Sequence, residues 1–185
     1  MAITRLGGAN AITGVIPVAN GGSGRTAVTG NILQVVTGTS TYQKTTNSGS
    51  YVDVESSSGT AWETTITPSA SSSKILITAS VPANCYQSSS QQNQRGHVTL
   101  NGKIGSGSYA VLTGSDGIRI GSYDYSTGTS TGGVCSYAFL WSPSTTDACK
   151  VKFQMKVADG GNTSMAVNAM GSTMLSTVVL QEVSG

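Results

Sequence analysis

Few residues in this chain have the type and spacing for covalent or metal chemistry. His97 is the single histidine. It has no second histidine or carboxylate at ligand spacing, so neither a zinc site nor a hydrolytic triad has support. The three cysteines, Cys85, Cys135 and Cys149, form no C-x-x-C pair, and an odd number cannot all pair within one chain. If residues 134–141 and 150–157 form one hairpin, Cys135 and Cys149 stand roughly 17 Å apart, far beyond disulfide reach. Free, buried thiols are the expectation. The acids in Ser115-Asp116-Gly117 and Tyr123-Asp124-Tyr125 are isolated, and neither stretch has the spaced carboxylates of a calcium loop. An ion held at an assembly axis stays open as an alternative. Eight acidic residues scattered through turns give little basis for the paired carboxylates of glycoside hydrolysis. No Gly-rich stretch fits the phosphate-cradling G-x-x-x-x-G-K-[ST] pattern. The reading is therefore no catalytic residues, no metal and no cofactor.

What remains is contact chemistry. Tyr123, Asp124 and Tyr125 sit in a Gly/Ser/Thr-rich stretch, where tyrosine gives contact area at low entropic cost and aspartate can accept sugar hydroxyls. With Tyr86 and Gln91 they are candidate receptor or neighbour contacts. A loop packed on another subunit, or a solvated loop, is the plainer reading of the same residues. Lys150, Lys152 and Lys156 share one strand face, read as a solvated outer face that would also suit an acidic partner. Asn162-Thr163-Ser164 matches the N-glycosylation triplet. The opening residues show no hydrophobic leader, so the match reads as chance.

The elements that must position these residues are strands. Only 10% of the chain is charged and the net charge is +2, with no basic run that would suit nucleic acid. No window is long and apolar enough for a membrane helix. There are 28 serines, 24 threonines and 24 glycines, interrupted by short alternating apolar runs. Disordered chains lack such runs, whereas β-proteins with Ser/Thr outer faces and Gly-rich turns show them.

Strands are predicted at residues 32–36, 51–55, 61–67, 74–81, 109–112, 118–120 and 164–170, with loops at 82–94 and 121–133 and a loop or irregular edge strand at 37–50. Residues 134–141 place Cys135, Tyr137, Phe139 and Trp141 on one face. Residues 150–157 place Val151, Phe153, Met155 and Val157 on one face and the lysines on the other. Asn101-Gly102 between residues 95–100 and 103–104 predicts a hairpin with a type I′ turn. Val178, Val179 and Leu180 form a continuous run, expected to be central or buried on both faces. About ten strands and no helix add up to an all-β, antiparallel β-sandwich, jelly-roll-like, over residues 31–185.

Residues 1–30 read differently. The stretch 12–26, ITGVIPVANGGSGRT, is too glycine-rich for a helix, and Pro17 holds its neighbours extended. It is either a disordered linker or an extended strap whose anchors are Val15, Ile16 and Val18. Residues 14–24, GVIPVANGGSG, resemble the I-P-V-A-N-G-G-T-G segment of tail-fibre and other virion proteins of bacteriophages, including phages of cyanobacteria and marine bacteria. LQVV (33–36), YVDV (51–54), TITPSASSSKILI (65–77), WSPSTT (141–146) and LSTVVLQEV (175–183) follow in the order of a loosely defined family of phage structural proteins, with a patchy match over residues 85–133.

The resemblance implies a non-enzymatic virion protein of a tailed phage, fibre- or fibre-tip-like, assembled in the host cytoplasm. It also implies a homotrimer that contacts other virion proteins of tail, baseplate or capsid. The arm, with Val15, Ile16, Pro17, Val18, Asn20, Gly21 and Gly22, would dock to the particle, and the β-domain would project toward a host glycan or receptor. The alternatives are a head decoration or cement protein and, from another class, a carbohydrate-binding module.

Overall fold

The computed structural model describes residues 30–87, 94–114, 116–122, 130–158, 163–169 and 174–185. Among them the elements are all strands: β1 (Ile32–Ser40), β2 (Lys44–Thr46), β3 (Val52–Asp53), β4 (Glu55–Ser57), β5 (Thr60–Ala61), β6 (Glu63–Ile66) and β7 (Lys74–Gln87) in the first half. In the second half come β8 (Gln94–Ile104), β9 (Ala110–Val111), β10 (Ile118–Ser122), β11 (Ser130–Trp141), β12 (Cys149–Val157), β13 (Thr163–Val167) and β14 (Ser176–Val183).

The strands pair into two principal antiparallel sheets. One runs β1-β14-β7, with β11 along the other edge of β7 and β13-β2 continuing beyond β14. The other runs β10-β8-β12, with β6 and β3 along the far edge of β12 and β9 beside β8. Take the eight strands β1, β6, β7, β8, β10, β11, β12 and β14 in chain order. The first, eighth, third and sixth make one sheet, and the second, seventh, fourth and fifth make the other. That interleaving is the jelly roll, two sheets built from wound Greek keys. We call them the β1-β14-β7-β11 sheet and the β6-β12-β8-β10 sheet.

The alternating residues meet between the sheets. Ile75, Ile77, Val81, Ala83 and Cys85 of β7, Val178 and Leu180 of β14, and Val151, Phe153, Met155 and Val157 of β12 are all buried. Phe153 sits at the centre. It stacks on Trp62 with ring centroids 5.0 Å apart and meets Tyr137 at 5.6 Å. The Tyr137 hydroxyl donates to the Val98 carbonyl at 2.6 Å, which satisfies its one polar atom. A fully buried side chain of this size contributes about 1.5–3 kcal/mol, against ~0.2–1 kcal/mol for an exposed ion pair. This core, rather than surface charge, holds the sheets together.

Several sequence expectations are corrected. Asn101-Gly102 is no turn: both lie inside β8, opposite Lys152 and Val151 in an unbroken nine-pair ladder with β12. The buried Asn101 amide donates to Thr99 Oγ1 at 3.0 Å. At Gly102 a Cβ would stand 2.9 Å from the Leu112 side chain, so this glycine serves close packing. The chain turns at Gly105 (φ 52°), where the Gly107 N–H donates to the Ile104 carbonyl at 2.9 Å.

Residues 82–87 of the expected 82–94 loop continue β7 through Pro82. Pro82 falls between the span of β7 paired to β14 and the span paired to β13. Its carbonyl accepts from Asn168 in that gap. Within a strand the N–H and C=O of one residue face the same edge, so the missing donor is missing where no ladder bond was due.

Residues 37–50 follow the edge-strand alternative in part, holding the end of β1 and all of β2 at the sheet edge, whereas the expected 121–133 loop contains the end of β10 and the start of β11. Val178 to Leu180 are not buried on both faces. β14 alternates between buried and half-buried residues, although it is central between β1 and β7. Finally, β11 and β12 are not a hairpin. They belong to different sheets, because the chain crosses the sandwich between them.

Candidate functional site

The thiols are chemically quiet. All three cysteines are buried and unpaired. Burial pushes Cys85 and Cys149 up to about 11 and Cys135 to about 12, so little thiolate exists near neutral pH. His97 lies half-buried on the outer face of β8, where its Nδ1 stands 2.7 Å from the Asp116 carbonyl. A carbonyl only accepts, so Nδ1 carries the proton. Among the described residues no three His, Cys, Asp or Glu side chains gather as a metal site would require.

The outer face of the β6-β12-β8-β10 sheet holds most of the described charge. The three lysines expected to be solvated are paired there instead. Lys152 Nζ reaches Asp53 Oδ1 at 2.7 Å, Lys150 reaches Glu63 at 3.6 Å and Lys156 reaches Asp116 at 3.8 Å. Gln154 Nε2 also donates to Asp53 Oδ1, at 2.8 Å. Two tyrosines lie among them. Lys152 and Lys103 sit 4.3 and 4.7 Å from the Tyr109 ring centre, and Lys156 sits 4.5 Å from that of Tyr51. The Tyr109 hydroxyl, with Lys150 and Lys103, holds Glu63 below its ordinary range against the opposing effect of burial. Burial first, then the Glu63 and Asp53 charges, raises Tyr109. The lysines and carboxylates here pair with one another, which leaves little for an outside acidic partner.

The outer face of the β1-β14-β7-β11 sheet is the opposite case. Register sets Val35, Gln181, Leu76 and Leu140 in one row across the four strands, and Thr37, Val179, Thr78 and Ala138 in the next. Of the eight exposed large apolar residues among those described, six belong to these strands: Ile32, Leu33, Val35, Tyr86, Val134 and Leu140. Only two charged residues occur in the four strands, Lys74 and Glu182. Glu182 points inward and is 1% exposed.

The Glu182 carboxylate accepts from the Ser69 N–H and the Ser69 hydroxyl, both at 2.7 Å, and from Gln34 Nε2 at 2.7 Å. Burial raises its pKa, but these bonds outweigh burial and hold it at about 2. The turn at residues 68–73 therefore has a job: it delivers Ser69 to a charge. Nothing in the sequence pattern pointed to Glu182. The uncharged face did leave a signal, since KILI, AFLW and TVVL carry apolar residues in both phases of the strand.

The two ends of the sandwich also differ. β7 ends at Gln87, β8 begins at Gln94, β10 ends at Ser122 and β11 begins at Ser130. Ser122 lies opposite Gln94, and Ser130 opposite Tyr86. Thus residues 88–93 and 123–129 depart from one end, where Tyr86 is 45% exposed. At the other end Gly30 bonds to Ser184, and Lys74 starts β7 opposite Val183. Of the contact candidates the structure places Tyr86 at the loop end; Gln91, Tyr123, Asp124 and Tyr125 lie outside the described residues. So do all seven arm residues, Val15, Ile16, Pro17, Val18, Asn20, Gly21 and Gly22.

Strand order alone establishes the class, an antiparallel jelly roll. No protein-family model matches the chain, and no curated protein matches it. Among solved structures it is similar to the structure of infectious bursal disease virus Gx strain, at 13% identity and a TM-score of 0.37, covering 82% of this chain and 38% of that one. It is also similar to the infectious bursal disease virus VP2 subviral particle, at 16% identity and a TM-score of 0.36, covering 82% of this chain and 37% of that one. The chain thus spans under two-fifths of the length of either.

Proposed function

We propose that this chain is a non-enzymatic structural protein of a virus particle, a tailed phage in the reading of its residue 14–24 segment. Residues 1–30 fasten it to the particle, and the jelly roll projects as a fibre- or fibre-tip-like attachment module. The carrying observation is the polarity of the sandwich. The chain enters at Gly30 at one end of β7, whereas the segments that hold Gln91, Tyr123, Asp124 and Tyr125 depart beside Tyr86 at the other. Fourteen residues of strand separate the two ends, roughly 45 Å. A module fastened at one end and recognising at the other needs such separation. Low charge and paired surface lysines suit a subunit packed among others, and a homotrimer is the assembly proposed.

A second reading, head decoration or cement, is favoured by the uncharged β1-β14-β7-β11 face, which offers lateral contact over a capsid lattice. Immunogold microscopy of purified particles with antibody to residues 31–185 tests both. Gold on the tail supports attachment, and gold spread over the head supports cement. Absence of the protein from particles by mass spectrometry removes both and brings a glycan-binding module forward. Particles assembled with a chain lacking residues 1–29 should contain none of it; normal incorporation would overturn the role given to the arm.

A further inference from the structure

The uncharged outer face of the β1-β14-β7-β11 sheet is a surface without a partner among the described residues. We propose that in the free chain its occupant is the chain's own segment 12–24, laid across the sheet with Ile16 and Val18 against the cross-strand pair Leu76 and Leu140.

Position comes first. Gly30 is the first described residue, and with Lys74, Leu140, Val183, Ser184 and Gly185 it lines a shallow open depression at the corner of this face. The preceding chain therefore starts at the surface it would cover. Reach comes next. From Val18 to Gly30 the chain can extend about 40 Å, and four strands at their usual spacing span only ~15–20 Å. Chemistry agrees as well. Residues 12–24 contain no charged side chain, and the single charge on this face, the exposed Lys74, lies at its edge at the start of β7, so laying them on the apolar row buries no ion. In an extended chain Ile16 and Val18 point to one side about 7 Å apart, a spacing that suits Leu76 and Leu140 on neighbouring strands; Gln181 separates this pair from Val35 in the same row. Pro17 has no N–H to lose contact with water. The lysine face offers no such match, because its groups already pair among themselves. A tether also changes the arithmetic. A short flexible linker gives an effective concentration near the millimolar range, so a contact too weak to hold a free peptide holds a tethered one.

The test uses the full-length purified chain, outside any particle, so it is independent of the virion reading. Ile16→Cys is combined in turn with Val35→Cys, with Leu140→Cys and, on the opposite face, with Lys150→Cys. Each is treated with a short bismaleimide; the three native cysteines are buried. Single-cysteine chains and thermal melts confirm that each variant folds and that the native thiols stay silent. The expected result is a cross-link within one chain for Val35→Cys or Leu140→Cys, formed about tenfold faster than for Lys150→Cys. Equal rates on both faces overturn the proposal. Cross-linked dimers as the main product also overturn it, in favour of the arm of a second copy.

Discussion

The two outer faces of this sandwich rest on one core yet present opposite surfaces. On β6, β12 and β8 the outward positions are Lys150, Lys152, Lys156, Glu63, His97 and Lys103, interleaved with Tyr51 and Tyr109. On β1, β14, β7 and β11 they are Leu33, Val35, Val179, Leu76, Val134 and Leu140, with Lys74 the lone charge. A charged face that pairs its own ions has little affinity left to give. A charge-poor face with exposed apolar side chains gains from being covered, because no ion must be desolvated. The surface proposed for contact is therefore the face with least chemistry on it.

The comparison breaks most visibly from beneath the uncharged face. Glu182→Gln leaves a neutral group where Ser69 and Gln34 converge on a carboxylate. It should cost about 1–3 kcal/mol in chemical denaturation. The pH dependence has a definite sign. The carboxylate sits at about 2 folded, against 4.5 as the ordinary value. Below the ordinary value the unfolded chain binds the proton first, so this stabilisation is complete above pH ~4.5 and fades as pH falls toward ~2. The variant should lose that part of the acid dependence; an unchanged acid profile would show that Glu182 is not the titrating group.

On the charged face, Lys152→Ala removes the partner of Asp53 and the cation over Tyr109. The expected loss is about 1 kcal/mol, shrinking in high salt. A loss independent of salt would mean that the lysine stem matters for its packing and not its charge.

The smallest effect is the most informative. Leu140→Ser on the uncharged face should leave thermal stability within ~0.5 kcal/mol, since the side chain is 50% exposed. A large drop in stability would place Leu140 in the core and dissolve the contrast between the faces.

Much of the fold was legible in the sequence. The lysine-alternating run of β12 announced its inward residues, and so did the cysteine and aromatic face of β11, because a strand half-buried in a sandwich must repeat every second residue. Local turn signals were less reliable. Asn101-Gly102 has turn chemistry, yet the nine-pair ladder and the packing of Leu112 override a preference worth little more than one contact. Pro82 has breaker chemistry, yet it falls at a gap between two pairing partners. The site was legible only in part. Tyr86, a contact candidate placed by the sequence in a loop, lies exposed near the end of β7, whereas the charge-poor face is made by register across four strands distant in sequence.

The sequence by itself determined that this is an all-β chain and, on β11 and β12, which side chains face inward, since both follow from a local period of two. Only the tertiary structure decided which sheet each strand joined. It put β11 and β12 on opposite sides of the core, drove Glu182 under Ser69 and Gln34, and collected the apolar outward residues on one face and the charged ones on the other. The physical reason is that strand partners are chosen by burial summed over the whole core, and no short stretch of residues carries that sum.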